Sequence, residues 1–159
     1  MIRWPLALLS LGALVLGVKK MSVTRGIRNN NPGNIREAKG GGIEWQGERA
    51  TDDDPAFEEF NTPEDGIRAL ARVLKTYYYK RGIQSITGMI YRWAPPEDNN
   101  NTLAYIKSVG YRVGVATGIP LTPQQFEDVL PDLVQAIIYH ENGQQPYDIA
   151  LINAGVSRA

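Results

Sequence analysis

One glutamate interrupts an apolar stripe late in the chain. Leu133, Ile137 and Glu141 stand at i, i+4 and i+8, and Val134, Ile138 and Glu141 at i, i+4 and i+7, so on a helix Glu141 extends the hydrophobic face. A carboxyl group in an apolar surround, at the negative end of a helix dipole, favours its neutral form and can donate a proton. Glycoside cleavage needs such a donor to protonate the leaving oxygen. The plainer alternative is a side chain turned to solvent at a frayed helix end.

A second carboxylate decides the reaction type. Two carboxyls about 5 to 5.5 Å apart suit a retaining hydrolase and a gap of about 6.5 to 9.5 Å an inverting one, whereas a lone glutamate suits attack by the substrate's own hydroxyl or acetamido group. The candidates are Glu44, Glu48, Asp52, Asp53, Asp54 and Glu58. Asp52, Asp53 and Asp54 lack the spaced ligands of a calcium loop and read as a solvated acidic turn. With no cysteine and a single histidine, His140, disulfides, thiolate nucleophiles and multi-histidine metal sites are excluded, and no metal or cofactor is expected. His140, beside Glu141, reads as a surface or packing residue rather than a base. The 17 Lys and Arg balance 17 Asp and Glu, so no overall field recruits nucleic acid, and Arg25, Arg28 and Arg36 are weak evidence for phosphate contacts.

The elements that must position Glu141 are mainly helical. Thr62-Pro63-Glu64-Asp65 gives an N-cap, a proline at the first helical position and acids in the first turn, followed by Ile67, Leu70, Ala71, Leu74 and Tyr78 at helical spacing. The Tyr77 to Tyr79 run reads mostly as helix packing, with one ring available to a cleft. Ser85 to Trp93 predicts a short helix stopped by Pro95-Pro96, and Thr102 to Val113 another, with Leu103, Ile106, Val109 and Val113 inward. Thr122 with Gln125 predicts a capping box before a helix that Pro131 bends or restarts. The last strong helix is expected over Asp132 to Asn142, closed by Gly143. Met21 to Asp54, rich in Gly, Asn and charge, reads as loop with a small β-hairpin around Gly42 to Arg49.

Trp4 to Val18 carries no charge and lies between Arg3 and Lys19-Lys20. Fifteen helical residues reach about 22 Å, short of the roughly 30 Å hydrocarbon core, so spanning requires the flanking residues to snorkel. The expectation is a division into residues 1–20, an N-terminal membrane anchor or signal-like helix, and residues 21–159, one domain.

The stretch Leu133 to Gly143, an apolar helix ending in glutamate before a small residue and glycine, resembles the catalytic helix of lysozyme-like lytic transglycosylases and glucosaminidases. Asn29-Asn-Asn-Pro-Gly-Asn34-Ile35-Arg36, then Trp45-Gln46-Gly47, Phe57, Phe60 and the Thr62 to Tyr79 helix, resembles the segment on the C-terminal side of that glutamate in flagellar-type glucosaminidases. Here that run precedes the glutamate, which implies a circularly permuted domain; surface termini near one another tolerate permutation. Arg25 to Gly143, with the Arg92-Trp-Ala-Pro-Pro-Glu97 motif, also resembles phage structural or virion-associated proteins.

The resemblance implies a lysozyme-like helical fold with a small loop or hairpin lobe. It implies Glu141 as general acid, Glu48 or Glu58 as second carboxylate, and Asn31, Gly33 and Asn34 lining the cleft. Gly33 lets backbone approach a ligand closely, and Trp45 and Trp93 offer flat faces to sugar rings, with core or hairpin packing as their alternative. The expected partners are peptidoglycan glycan strands, a membrane through residues 4–18 and other virion proteins, not nucleic acid. The expected location is a virion or bacterial envelope. A noncatalytic virion or membrane protein that keeps the fold for cell-wall binding or assembly is the alternative.

Overall fold

The computed structural model describes residues 23–38, 44–51 and 53–159, and in it helices do the structural work. A single turn, α1 (Arg25–Arg28), opens the described chain. Helix α2 (Pro63–Lys75) starts as its sequence predicts: the Thr62 hydroxyl accepts the Asp65 N–H at 3.2 Å, and proline holds the first position. Its inward residues Ile67, Leu70, Ala71 and Leu74 are buried. The helix widens into one π-helical turn over Thr76–Lys80. There the buried Tyr78 stacks on Phe126, ring centroids 4.3 Å apart, and its hydroxyl donates to the Leu121 carbonyl at 2.7 Å. The middle tyrosine is therefore core, and its polar tip is satisfied.

Helix α3 (Ile86–Trp93) is capped by Ser85 and stops before Pro95-Pro96, which continue as a short 3-10 turn, Pro96–Asp98. The buried Thr102 hydroxyl donates to the Ala94 carbonyl at 2.6 Å and ties the start of α4 (Thr102–Val113) to the end of α3. The inward face of α4 follows the sequence expectation at Val109 and at the half-buried Ile106 and Val113, which pack on the core, but not at Leu103. Leu103 is 69% exposed, while Thr102, Tyr105 and Val109 are buried. Apolar side chains surround this short helix, and the polar Thr102 and Tyr105 win the inside because both find partners there.

Helix α5 (Pro123–Asn142) carries the predicted capping box at Thr122 and Gln125. It runs unbroken through Pro131, so the expected restart does not occur. Leu130, Leu133, Val134, Ile137 and Ile138 are fully buried along it, and packing of this face holds the helix across the backbone bond that proline cannot make. Gly143 closes it in the left-handed conformation, φ 66°.

A further helix, α6 (Ile149–Ser157), was not anticipated; Asp148 caps it, accepting the Leu151 N–H at 2.8 Å. Ile152, Gly155 and Val156 face inward, with Gly155 tight against Ile67 of α2. Arg158, just past its end, pairs with Glu64 at 2.8 Å and Asp65 at 3.2 Å in the first turn of α2.

The lobe between α1 and α2 contains loop rather than a hairpin among its described residues. Its pairing is limited to two isolated antiparallel bridges, Arg36 with Phe57 and Glu48 with Phe60. Trp45 to Glu48 forms a turn, and Gly42 and Ile43 of the expected hairpin lie outside the described residues. The N-terminal apolar helix, residues 1–20, also lies outside them. No helix among the described residues is long and apolar enough to cross a membrane.

Candidate active site

Glu141 sits one residue before the end of α5, and the next residue fixes its surroundings. The buried Asn142 donates to the Pro32 carbonyl at 2.8 Å and to the Ile138 carbonyl at 2.9 Å, while its amide oxygen accepts the Thr24 hydroxyl at 2.6 Å. One side chain thus clamps the asparagine-rich turn onto the end of α5.

That turn is a hub in which each asparagine has a different task. Asn29 donates to Asp54 at 2.9 Å, and Asn30, left-handed at φ 52°, donates to the Phe60 and Asn61 carbonyls. Asn31 is fully buried; its amide donates to the Ile35 and Glu58 carbonyls and accepts the Ile35 N–H, all at 2.9 Å. Asn34, left-handed at φ 51°, donates to Glu141 Oε2 at 2.9 Å. Asparagine tolerates this backbone region better than most residues.

Three neutral donors converge on the Glu141 carboxyl. Trp93, the last residue of α3, donates its indole N–H to Oε1 at 3.1 Å, and Tyr105 of α4 donates its hydroxyl to the same oxygen at 2.9 Å. With Asn34 on Oε2, three of about four carboxylate acceptor sites are used. Burial, and then the Glu141 carboxylate beside it, push the Tyr105 phenol well above its ordinary range, so it remains a donor at neutral pH. Tyr105 also stacks on His140, centroids 3.6 Å apart, and burial lowers the histidine against the opposing pull of Glu141. His140 is thereby a packing partner of the tyrosine.

Glu141 opens on a cleft of about 520 Å³ whose lining includes Gly33, Asn34, Trp93, Asp98 and the two arginines Arg36 and Arg92. Among the residues expected to form a site, Glu141, Asn34, Gly33 and Trp93 come together here. The closeness allowed at Gly33 is explained within the protein: a Cβ there would lie 3.2 Å from both the Trp93 ring and Leu70. Asn31 does not line the cleft; it holds the turn from beneath.

Glu48, Glu58 and Trp45 form a separate cluster in the loop lobe, and none of them lines the cleft. Trp45 donates its backbone N–H to Glu48 at 2.7 Å and its indole N–H to Glu58 at 3.2 Å. Burial, followed by the charges of Glu37 and Glu48, pushes the Glu58 carboxyl up to about 7. One oxygen each of Glu58 and Glu37 has no hydrogen-bond partner; a proton shared between the two carboxyls satisfies both. This cluster is suited to holding the lobe together rather than to reaching a ligand in the cleft. The acid that does share the cleft with Glu141 is the exposed Asp98.

The residues missed by sequence reasoning are Tyr105, Arg92 and Asp98, while the ring of the tyrosine run that reaches the cleft is that of Tyr77. The signal for Tyr105 was its i, i+4 spacing to Val109, which marks it as inward. Arg92 and Asp98 fall in or beside the Arg92 to Glu97 motif. Among the described residues no cluster of acids and histidine is arranged to hold a metal ion.

No family model matches the chain. It is 44% identical over 146 residues to Protein P5 of Pseudoalteromonas phage PM2, an alignment that covers 92% of this chain and 88% of that protein.

Proposed function

The chain belongs to the family of phage Protein P5, and from that premise we propose that it is a virion-associated phage protein that cleaves the glycan strands of peptidoglycan, with Glu141 as general acid. The single observation that carries this reading is the convergence of Asn34, Trp93 and Tyr105 on the Glu141 carboxyl at the wall of an open cleft. The donors fix the carboxyl in place and leave one of about four acceptor positions for the proton that a general acid must carry. In the proposed step the protonated Glu141 gives its proton to the glycosidic oxygen as the bond from that oxygen to the anomeric carbon breaks. A hydroxyl of the same sugar then attacks the anomeric carbon and returns its proton to Glu141.

This single-carboxylate route is favoured because Glu48 and Glu58 do not line the cleft. The meeting of the asparagine-rich turn with Glu141 supports the permuted, lysozyme-like arrangement. A second reading rests on Asp98, which lines the cleft and is the candidate to activate water in a hydrolase. Mass spectrometry of purified sacculi treated with the protein tests both. Anhydro ends closed by an internal acetal, without added water, support the first, and reducing ends that have taken up water support the second. The absence of new ends would leave a noncatalytic virion protein that binds cell wall or other coat subunits.

Residues 4–18 are proposed to anchor the protein to a membrane, on the strength of their uncharged run between Arg3 and Lys19-Lys20. Flotation of the full chain with lipid vesicles, lost on removal of residues 1–20, is the expected result; flotation unchanged by the deletion contradicts it.

A further inference from the structure

Two guanidinium groups stand in the cleft that Glu141 and Asn34 share. Arg36 lies two residues beyond Asn34, and Arg92 precedes Trp93, so each is close in the chain to a side chain that donates to Glu141. Both arginines are exposed, and neither forms an ion pair among the described residues, whereas Arg25, Arg49 and Arg158 all do. Arg36 rests over the Phe57 ring, 5.3 Å from its centroid, and Arg92 shares the cleft with Tyr77, whose phenol is pushed up by burial against the opposing charge of Arg92. An aromatic face supports a guanidinium without using its N–H groups, so the fork of Arg36 remains open to an anion. The two acids of the cleft do not consume it: Glu141 takes three neutral donors, and Asp98 pairs with neither arginine.

We propose that Arg36 and Arg92 recognise carboxylates borne by the strand, so that the cleft selects an acidic, muramyl-type glycan over a neutral chitin-like one. This rests on the reading of the cleft as a glycan site. A planar guanidinium binds a carboxylate through two parallel hydrogen bonds, and such charge-assisted pairs are about twice as strong as neutral ones. The carboxylate has two sources on such a strand, the lactyl group of the sugar itself and the peptide stem.

The test is calorimetric titration of the full-length Glu141→Gln protein, chosen to slow turnover, with three tetrasaccharides. One is chitotetraose, one a denuded muramyl glycan with free lactyl carboxylates, and one the same glycan bearing stems. The expected result is about tenfold tighter binding of an acidic glycan than of chitotetraose, one charge-assisted contact's worth. That ratio should collapse when Arg36→Gln and Arg92→Gln are added, and persist with Arg72→Gln on the exposed side of α2. A preference for the denuded strand identifies the lactyl carboxylate, and one confined to the stem-bearing strand identifies the peptide. Equal affinity for all three, or a preference that survives both substitutions, overturns the proposal and leaves the cleft a glycan site. Binding of none overturns the glycan reading as well.

Discussion

Asn34 and Glu141 are 107 residues apart in the chain and joined by a 2.9 Å hydrogen bond between the asparagine amide and the glutamate carboxyl. Asn142, adjacent to Glu141, pins the same turn through Pro32, so the contact rests on two neighbouring residues of α5. The turn that bears the donor and the helix that bears the acid are thus tied at two adjacent positions.

Replacing Asn34 by Asp tests this pair with little backbone strain, because Asp also tolerates the left-handed region at φ 51°. The substitution removes the donor and places a second carboxyl beside Glu141. Glycan release should fall by about 10² to 10³, the range seen when one preorganised donor is lost. Circular dichroism should show the helical fold retained. Undiminished release would separate Asn34 from the chemistry.

Tyr105→Phe deletes one hydroxyl and keeps the ring that stacks on His140. The expected stability loss is about 1 kcal/mol, that of one hydrogen bond, measured by urea denaturation. Activity should drop about tenfold or more, since Oε1 then keeps only the Trp93 donor. A stability loss with no change in rate would make Tyr105 purely structural.

Gly66→Ala probes how the turn sits on α2. A Cβ at Gly66 would lie 1.8 Å from the Asn30 carbonyl oxygen, and backbone cannot yield at that distance without moving the turn. A loss of roughly 2 to 3 kcal/mol is expected, together with loss of activity, because the turn carries Asn34. A thermal midpoint equal to that of the wild type would show that the turn moves freely.

Glu58 gives a pH signature with a definite sign. Its carboxyl is raised from 4.5 to about 7 in the folded chain, so between those values the folded state keeps a proton that the unfolded state has released. Stability from this group is greatest below about 4.5, falls as pH rises through that window and levels off above about 7. Glu58→Gln keeps an acceptor for Trp45 and supplies a donor to Glu37. The variant should therefore match the wild type near pH 4 and exceed it at pH 8, by at most a few kcal/mol. Denaturation curves whose difference does not change with pH would contradict the shared proton.

The long helices were legible because their signals are local. Thr62-Pro63 and Thr122 with Gln125 cap through residues three apart, and the stripes of α2 and α5 are regular enough to identify their buried faces. On α4, Leu103 was placed inward in error and Thr102 and Tyr105 were overlooked, because burial of these two is decided by hydrogen bonds to Ala94 and Glu141, which lie on other elements. The unanticipated α6 has its signal in Asp148 followed by a short apolar run, and its stability comes from packing on α2. Within the site, Glu141 stood out because a carboxyl occupied an apolar position, and the asparagine turn because of its composition. The roles of Asn31 and Asn34 could not be separated from sequence, since burial of one and exposure of the other to the cleft depend on how the turn meets α5 and the loop lobe. Glu48 and Glu58 failed to reach the cleft for a similar reason: their side chains turn to Trp45.

The most direct test compares the initial rate of soluble glycan release from labelled sacculi by the wild type and by Glu141→Gln, a change that preserves shape and removes the ionisable proton. If Glu141 is the acid, the wild type releases glycan and the variant is slower by about 10² to 10⁴, the contribution of a positioned general acid. Equal rates, or a wild type that releases nothing, would contradict a catalytic role for Glu141.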